Sequence, residues 1–343
     1  MTVTGPGYTF NIKPDLTVLT KENEAAESPA GVVEFFLEFK CDVDPFDTSS
    51  TESSAAQPQD ENTQEFCLIT DSSQGRKNLG QIATYVAIQM NSQYRTHTFF
   101  VLVFKNYARL MHWDRSGAIF TTPISYDTQP ELFEFFEAYN KATPEARGID
   151  ESVTEPTPDE IDAARETCPD LGESLLVVSI PTSDPDLHAQ PHRYVINRPS
   201  ARTSLPIGRS TRTSIAYDVQ KNKRVFFKDS WRIKAPNAPV EGKVYQSLNR
   251  RKVRNIPTCV DYCDVGTENY HQTQVQSFVR RDWAPRHAGA PLLFAVHRHH
   301  RLVLDTVGKK LKEFASTKEM VKAIRAALVG MSLWLFSIFC MLT

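Results

Sequence analysis

Arg224-Val-Phe-Phe-Lys-Asp-Ser-Trp231, followed after a short polar stretch by Glu241-Gly-Lys-Val-Tyr-Gln-Ser-Leu-Asn249, is the passage on which the fold turns. The first segment reads as a strand from Arg224 and the second as a helix from Glu241 to Leu248. Just upstream, Leu205-Pro-Ile-Gly-Arg-Ser-Thr-Arg-Thr-Ser-Ile-Ala-Tyr217 reads as a hairpin. A hairpin, a lysine on a strand and a glutamate on a helix are the parts of a phosphate-binding lobe. Backbone amides cover the phosphates, a cation reaches them, and an acid holds the cation's ammonium in place. Lys228 and Glu241 stand 13 residues apart, which suits a strand, a connection and a first helical turn, so an ion pair is geometrically permitted.

Outward from that passage, the chain has 343 residues, enough for about two domains. With 41% hydrophobic, 23% charged and 10% aromatic residues, the composition excludes wholesale disorder, collagen and a coiled-coil rod. The formal net charge of −2 supplies no global field for nucleic acid or membrane. Charge is nonetheless unevenly spread: Met1 to Gly75 holds 14 acids and 3 bases, and Ala201 to Arg254 holds 3 acids and 14 bases. The 6 cysteines are too few and scattered for a disulfide framework, and Met1 precedes polar residues rather than an apolar signal region. An intracellular, reducing compartment, cytoplasmic or nuclear, is the expectation. Cys259 and Cys263 lie four apart without a second ligand pair at zinc-finger spacing, so they read as strand residues. His297-Arg-His-His300 reads as a solvated strand end.

Apolar runs predict strands at Asp15 to Leu19, Val32 to Phe39, Thr98 to Phe104 and Ala108 to Trp113. Helices are expected at Leu79 to Tyr94 and Pro130 to Tyr139, each an amphipathic cover for a sheet. A Ser/Glu/Gln-rich stretch, 48–64, reads as an excursion loop. From Thr143 to Glu173 the chain turns acidic and proline-containing around a short helix, Asp159 to Glu166, and this marks the boundary. Further strands are predicted at Leu175 to Ile180, Arg193 to Ile196, Ser214 to Val219, Arg224 to Phe227, Thr258 to Tyr262 and His300 to Leu304. The division is a mixed α/β domain over 1–150, an acidic linker over 151–173, a nucleotide-binding lobe over 174–305, the start of a helical lobe over 306–328, and an apolar tail over 329–343.

The hairpin, lysine and glutamate segments resemble the N-terminal lobe of protein kinases, and specifically the fungal-type protein kinase family. Tyr107-Ala-Arg-Leu-Met-His-Trp-Asp-Arg-Ser-Gly117, Pro144-Glu-Ala-Arg-Gly148, Gly208-Arg-Ser-Thr-Arg212, Phe227-Lys-Asp-Ser-Trp-Arg232 and His300-Arg-Leu-Val-Leu304 look like its recurrent blocks. The likeness spans roughly Gln81 to Leu328. The fold class it implies is α+β: an N-terminal mixed sheet with flanking helices, then an incomplete kinase-like lobe of twisted antiparallel sheet plus one helix. It implies ATP as the cofactor, with magnesium only if the missing lobe is present. Gly208, Arg209, Ser210, Thr211 and Arg212 would form the loop over the phosphates, Lys228 the strand lysine, Glu241 its helix partner, and Leu304 with Asp305 the hinge facing adenine.

The loop departs from the three-glycine pattern in having only Gly208. No His-Arg-Asp catalytic loop or Asp-Phe-Gly-like turn appears in the sequence, and His112-Trp-Asp-Arg115 precedes the lysine strand instead of following the hinge. The chain therefore reads as a phosphotransferase by family that is truncated and catalytically incompetent as written, with an unknown protein substrate. The contrasting expectation is a pseudokinase or scaffold whose Arg250-Arg-Lys-Val-Arg254 docks acidic partners or RNA. Ala326 to Leu342 carries no charge, which suggests a membrane tail anchor or an end foreign to the lobe. Near the N-terminus, Pro14-Asp15 and Glu38-Phe-Lys40 followed by the Gln81 helix resemble the PD-(D/E)XK nuclease core. That chemistry wants Asp15 and Glu38 on a divalent metal and Lys40 polarising the attacking water.

Overall fold

In a computed structural model, the described residues are 2–5, 8–20, 31–46, 69–181, 190–200, 205–266, 270–284, 286–287, 290–291 and 294–339. The excursion loop expected over 48–64 lies outside them. The chain divides into two units. The first gathers Met1–Glu151, Pro199–Ser210 and Gly266–Arg298, and the second gathers Ser152–Arg198, Thr211–Val265 and His299–Thr343.

In the first unit β1 (Thr2–Gly5) and β2 (Tyr8–Asn11) pair as a hairpin. A five-stranded sheet then runs β3 (Leu16–Leu19), β4 (Val33–Phe39), β5 (His97–Val103), β6 (Ala108–Asp114) and β7 (Gly117–Phe120), in that order. Only β4 and β5 pair in parallel, which the crossover helix α1 (Ser73–Ser92) between them makes possible. A second helix, α2 (Glu131–Lys141), follows the sheet in sequence. Because both faces of the central strands are covered, β4 and β5 read as near-continuous apolar runs. Phe36, Phe100 and Leu102 pack with Ile82, Tyr85 and Val86 of α1, while Phe35 and Val101 pack with Tyr139 and Phe136 of α2. Helix α1 begins six residues earlier than its apolar spacing suggests, because the Ser72 hydroxyl accepts from the Gly75 amide and caps a polar first turn.

Charges are buried with partners. Glu34 meets Arg95 at 3.2 Å and accepts from the Tyr139 hydroxyl at 2.7 Å, and Asp44 meets Arg109 at 2.7 Å. Burial, reinforced by Asp44, pushes the Tyr107 hydroxyl up to about 12. The later segments belong to this unit through specific bonds. Arg115, fully buried, donates to the carbonyls of Met90 and Pro206, and the Asp114 carboxylate accepts from the Gln274 and Val275 amides.

The second unit contains β8 (Val153–Thr154), α3 (Pro158–Thr167), β9 (Leu175–Ile180), β10 (His192–Asn197), β11 (Arg212–Asp218), β12 (Lys223–Ile233), α4 (Glu241–Arg250), β13 (Cys259–Asp264), β14 (His297–Leu304, of which the first two residues are counted with the first unit) and α5 (Thr317–Phe339). Its seven-stranded sheet has the order β13-β14-β12-β11-β10-β9-β8. The stretch expected to be a linker is built into this unit. Thr157 and Glu160 form a capping box at the start of α3, Glu160 pairs with Arg193 at 2.7 Å, and β8 is the edge strand beside β9.

Two expectations need correction. The His297–His300 run is not solvated: all four residues are less than a tenth exposed. Their carboxylate partners come from other strands, so sequence proximity could not show them: His299 meets Asp229 at 2.8 Å and His300 meets Asp264 at 2.9 Å. The membrane-anchor expectation also fails among the described residues, where no helix is long and apolar enough to cross a membrane. Helix α5 opens with Lys318, Glu319, Lys322 and Arg325, and the uncharged remainder, Ala326 to Phe339, falls short of the roughly 20 residues that a span needs.

Asp229 is the charge centre of the second unit's core, accepting from His299 at 2.8 Å and Arg301 at 3.0 Å beside the stacked Trp231–His299 rings. Burial alone would raise its carboxyl, but His299 and Arg301 outweigh that and hold it well below the usual carboxylate range. A carboxyl depressed by folding stabilises fully above its unfolded value of about 4, and loses that contribution as pH falls further. Asp229→Asn is expected to cost roughly 3–5 kcal/mol at neutral pH, since it strands the buried Arg301 guanidinium. It should also flatten the decline of stability below about pH 4. Urea unfolding midpoints followed against pH check both, and equal midpoints for the two proteins at pH 7 would contradict the assignment.

Candidate functional site

Strand β12 alternates. Val225, Phe227, Asp229 and Trp231 are buried on one face, and Lys228 and Arg232 emerge on the other. The β11–β12 register sets Thr213 directly opposite Lys228. From the far side of a proline-containing connection, α4 starts at Glu241, where an acid is favoured by the helix N-terminus. The Lys228 ammonium lies 2.8 Å and 2.7 Å from the two oxygens of the Glu241 carboxylate. Both side chains stay partly accessible, at 19% and 33%, so the pair borders solvent that a ligand can displace.

What aims Glu241 is the seating of α4 on β13. Gly242 lies so close to the Tyr262 ring that a Cβ there would sit 2.0 Å from Tyr262 Cγ. The Tyr262 hydroxyl donates to Gln246 at 3.2 Å, and Asn249 accepts from the Cys259 amide and donates to the Pro257 carbonyl. Cys259 and Cys263 lie on β13, and burial pushes their thiols up to about 11 and about 12. They are therefore neutral thiols at physiological pH.

A second charged group shares the Lys228 face and was not anticipated from sequence. Arg232 grips Asp264 through two bonds of 2.9 Å and 2.6 Å, and His300 adds a third at 2.9 Å. Burial would raise the Asp264 carboxyl, but Arg232 and His300 hold it well below the usual range. His300 Nε2 is buried without a hydrogen-bond partner among the described residues. The only local signal was the four-residue spacing from Lys228 to Arg232, an even number that puts both on one face of the strand.

The expected hinge is tied inward. Leu304 is buried at the end of β14, and the Asp305 carboxylate accepts from the Thr258 amide at 2.8 Å while its own amide donates to the Thr258 carbonyl. These bonds outweigh burial and lower the Asp305 carboxyl. The expected phosphate loop is split. Gly208, Arg209 and Ser210 are counted with the first unit, and Thr211 and Arg212 with the second. Gly208 has a left-handed φ of 95°, and its amide donates to the Arg115 carbonyl at 2.7 Å, while Ser210 meets Asn91 at 3.3 Å. The basic run Arg250, Arg251, Lys252 and Arg254 is exposed at the end of α4.

In the first unit the structure brings Asp15, Glu38 and Lys40 together. Glu38 Oε2 accepts from the Asp15 amide at 3.2 Å, Asp15 Oδ2 accepts from the Phe39 amide at 2.8 Å, and Lys40 meets Glu38 at 2.9 Å. Gln81, expected only as a helix residue, joins them from α1.

With this geometry in place, the model of the fungal protein kinase family matches residues 46–336, most of the chain. The chain belongs to the fungal protein kinase family. No curated protein and no solved structure matches it. The matched span contains the whole of the kinase-like sheet, with Lys228 and Glu241, and excludes Asp15, Glu38 and Lys40.

In this family member, the seating of α4 is open to a direct test at Gly242. Alanine in a helix ordinarily gains up to about 1 kcal/mol over glycine, whereas forcing an extra carbon into a packed interface costs roughly 1–3 kcal/mol. An added Cβ 2.0 Å from the Tyr262 ring meets the root of that side chain and not a flexible end, so the clash wins. Gly242→Ala is expected to lower stability by about 1–2 kcal/mol in chemical denaturation. A stability gain would show that α4 and β13 do not meet in this way.

Proposed function

We propose that the second unit binds ATP, with Lys228 donating to the phosphates and Glu241 holding the lysine ammonium in place. The supporting observation is the double-bonded ion pair at 2.7 Å and 2.8 Å between a strand lysine and a helix glutamate, in a chain of the fungal protein kinase family. A lone lysine would sweep many rotamers, whereas one held by two charge-assisted bonds presents its remaining donor in a fixed direction. Thr211 and Arg212 are assigned to cover the phosphates, because they lead into the residue paired with Lys228. Gly208 is a poorer candidate, since its amide already donates to Arg115. Leu304, buried at the end of β14, is likewise a poorer candidate to face the adenine.

The residues that orient a substrate hydroxyl and hold magnesium in a kinase belong to His-Arg-Asp and Asp-Phe-Gly segments, and neither occurs in these 343 residues. Nucleotide binding without phosphoryl transfer is therefore the proposed activity of this stretch by itself. Binding of a fluorescent ATP analogue to the full chain, followed by titration, tests it. Lys228→Met is expected to weaken binding at least tenfold, the equivalent of losing a charge-assisted hydrogen bond worth about 1.5–3 kcal/mol. Glu241→Gln should weaken it less, because an amide still accepts from the ammonium. Unchanged affinity in Lys228→Met would end the proposal, and phosphate transfer from radiolabelled ATP by these residues alone would refute the second half.

A further inference from the structure

We propose that the turn after α4 and the first half of α5 form one surface of the second unit that binds the phosphate backbone of a nucleic-acid duplex. The proposal is independent of ATP binding at Lys228.

Residues 242–260 hold five cations and no acid. Four of them, Arg250, Arg251, Lys252 and Arg254, are exposed where α4 ends. Helix α5 adds exposed Lys318, Lys322 and Arg325 against the single acid Glu319. Two contacts bring the elements together. The Asn255 side-chain amide donates to the Ala326 carbonyl at 3.2 Å, and a Cβ on Gly330 would lie 3.3 Å from the Arg254 carbonyl oxygen. Lys322 and Lys318 stand one and two helical turns before Ala326, so both continue the side of α5 that meets the turn. A row of cations spaced by helical turns of about 5.4 Å thus runs into the basic turn.

The needs of the fold do not account for these charges. A helix C-terminus favours a cation in its last turn, which Arg250 supplies, but Lys252 and Arg254 lie beyond that turn. Lys318 stands in the first turn of α5, where the helix dipole opposes a cation. Arg250, Lys252, Arg254, Lys318, Lys322 and Arg325 make no ion pair among the described residues. The backbone of the turn adds a separate sign. The Val253 amide donates to the Leu248 carbonyl and the Lys252 amide to the Asn249 carbonyl, the two bonds that close a helix around a left-handed residue. That residue is ordinarily glycine, yet here it is Lys252, with a φ of 55°. A local conformational cost is accepted where the gain is an ammonium that pairs with no carboxylate of its own chain.

The same surface selects the kind of anion. Among the described residues no large hydrophobic between 242 and 260 is exposed, so the turn lacks the apolar anchor on which a protein interface depends. The exposed Ile324 and Leu328 stand two residues either side of Ala326, on the opposite face of α5. No exposed aromatic stands among the cations to stack on unpaired bases, as single-strand sites require. A duplex backbone needs neither, and it presents one negative charge for about every 1.7 Å of its axis. Contacts of this kind hold phosphates whatever the base sequence.

Fluorescence anisotropy of short labelled duplexes, one of DNA and one of RNA, titrated with the full chain between about 50 and 200 mM salt, tests the proposal. Binding of either supports it, and comparison of the two identifies the duplex. Four phosphate contacts give a slope of about −3.6 for log affinity against log salt, so affinity is expected to fall roughly 100-fold over that range. Lys252→Gly, which relieves the left-handed lysine, should leave the unfolding midpoint no lower while weakening binding several-fold. Combined with Lys322→Gln it should weaken binding at least tenfold and flatten the slope by about 2. Arg280→Gln with Arg281→Gln, exposed on the first unit, should change affinity less than twofold. No binding to either duplex at the lowest salt, affinity indifferent to the Lys252→Gly and Lys322→Gln pair, an equal loss in the Arg280→Gln and Arg281→Gln pair, or tighter binding to polyglutamate or to phosphatidylserine vesicles would each overturn the proposal.

Discussion

The ammonium of Lys228 has a fixed position only because a carboxylate on another element meets it, and that carboxylate is aimed by a helix lying against a tyrosine ring. The missing side chain at Gly242 permits that approach, so a residue with no chemistry of its own determines where the site's acid points. In the half-exposed environment of this pair, Coulomb attraction is modest and the two-bond geometry matters more than the energy. The ion pair is thus better understood as a device for orientation than as a source of stability.

Buried charge organises the rest of both units in the same manner. Glu34 with Arg95 and Tyr139, Asp44 with Arg109 and Tyr107, and Asp229 with His299 and Arg301 each lie where an unpaired group would be expensive. Their worth against an apolar replacement is small, yet each rules out arrangements in which one partner is stranded. This explains how two sheets rich in interchangeable Val, Phe and Leu settle on one register each.

The two units are interleaved in sequence, and this defeated a linear reading of the domains. Pro199–Ser210 departs between β10 and β11, and Gly266–Arg298 departs between β13 and β14, and both are counted with the first unit. Composition shifts mark where a chain becomes polar or proline-rich, but not which core an excursion returns to. Arg115 and Asp114 reclaim those segments through backbone carbonyls and amides, groups that every residue carries and that leave no trace in composition. For the same reason the acidic stretch after Thr143 looked like a linker, although a capping box and an edge strand commit it to the second unit.

Local periodicity by itself located many of the elements, though not β1, β2, β7 or β8: strand β9 matches its apolar run end to end, and the helix from Glu241 follows from its spacing. It also determined the residue types available for chemistry, since a strand lysine, a helix glutamate and the Asp15, Glu38 and Lys40 set are all visible in one dimension. Tertiary structure alone decided which of these meet. It buried the His297–His300 run that looked solvated, drew Gln81 into the acidic cluster, placed Arg232 and His300 around Asp264, and gave the Gly208 amide to Arg115. The reason is that a repeat of two or 3.6 residues specifies only which way a side chain faces from its own element. The partner across that face comes from another strand or helix many residues away, and only the packed chain selects it.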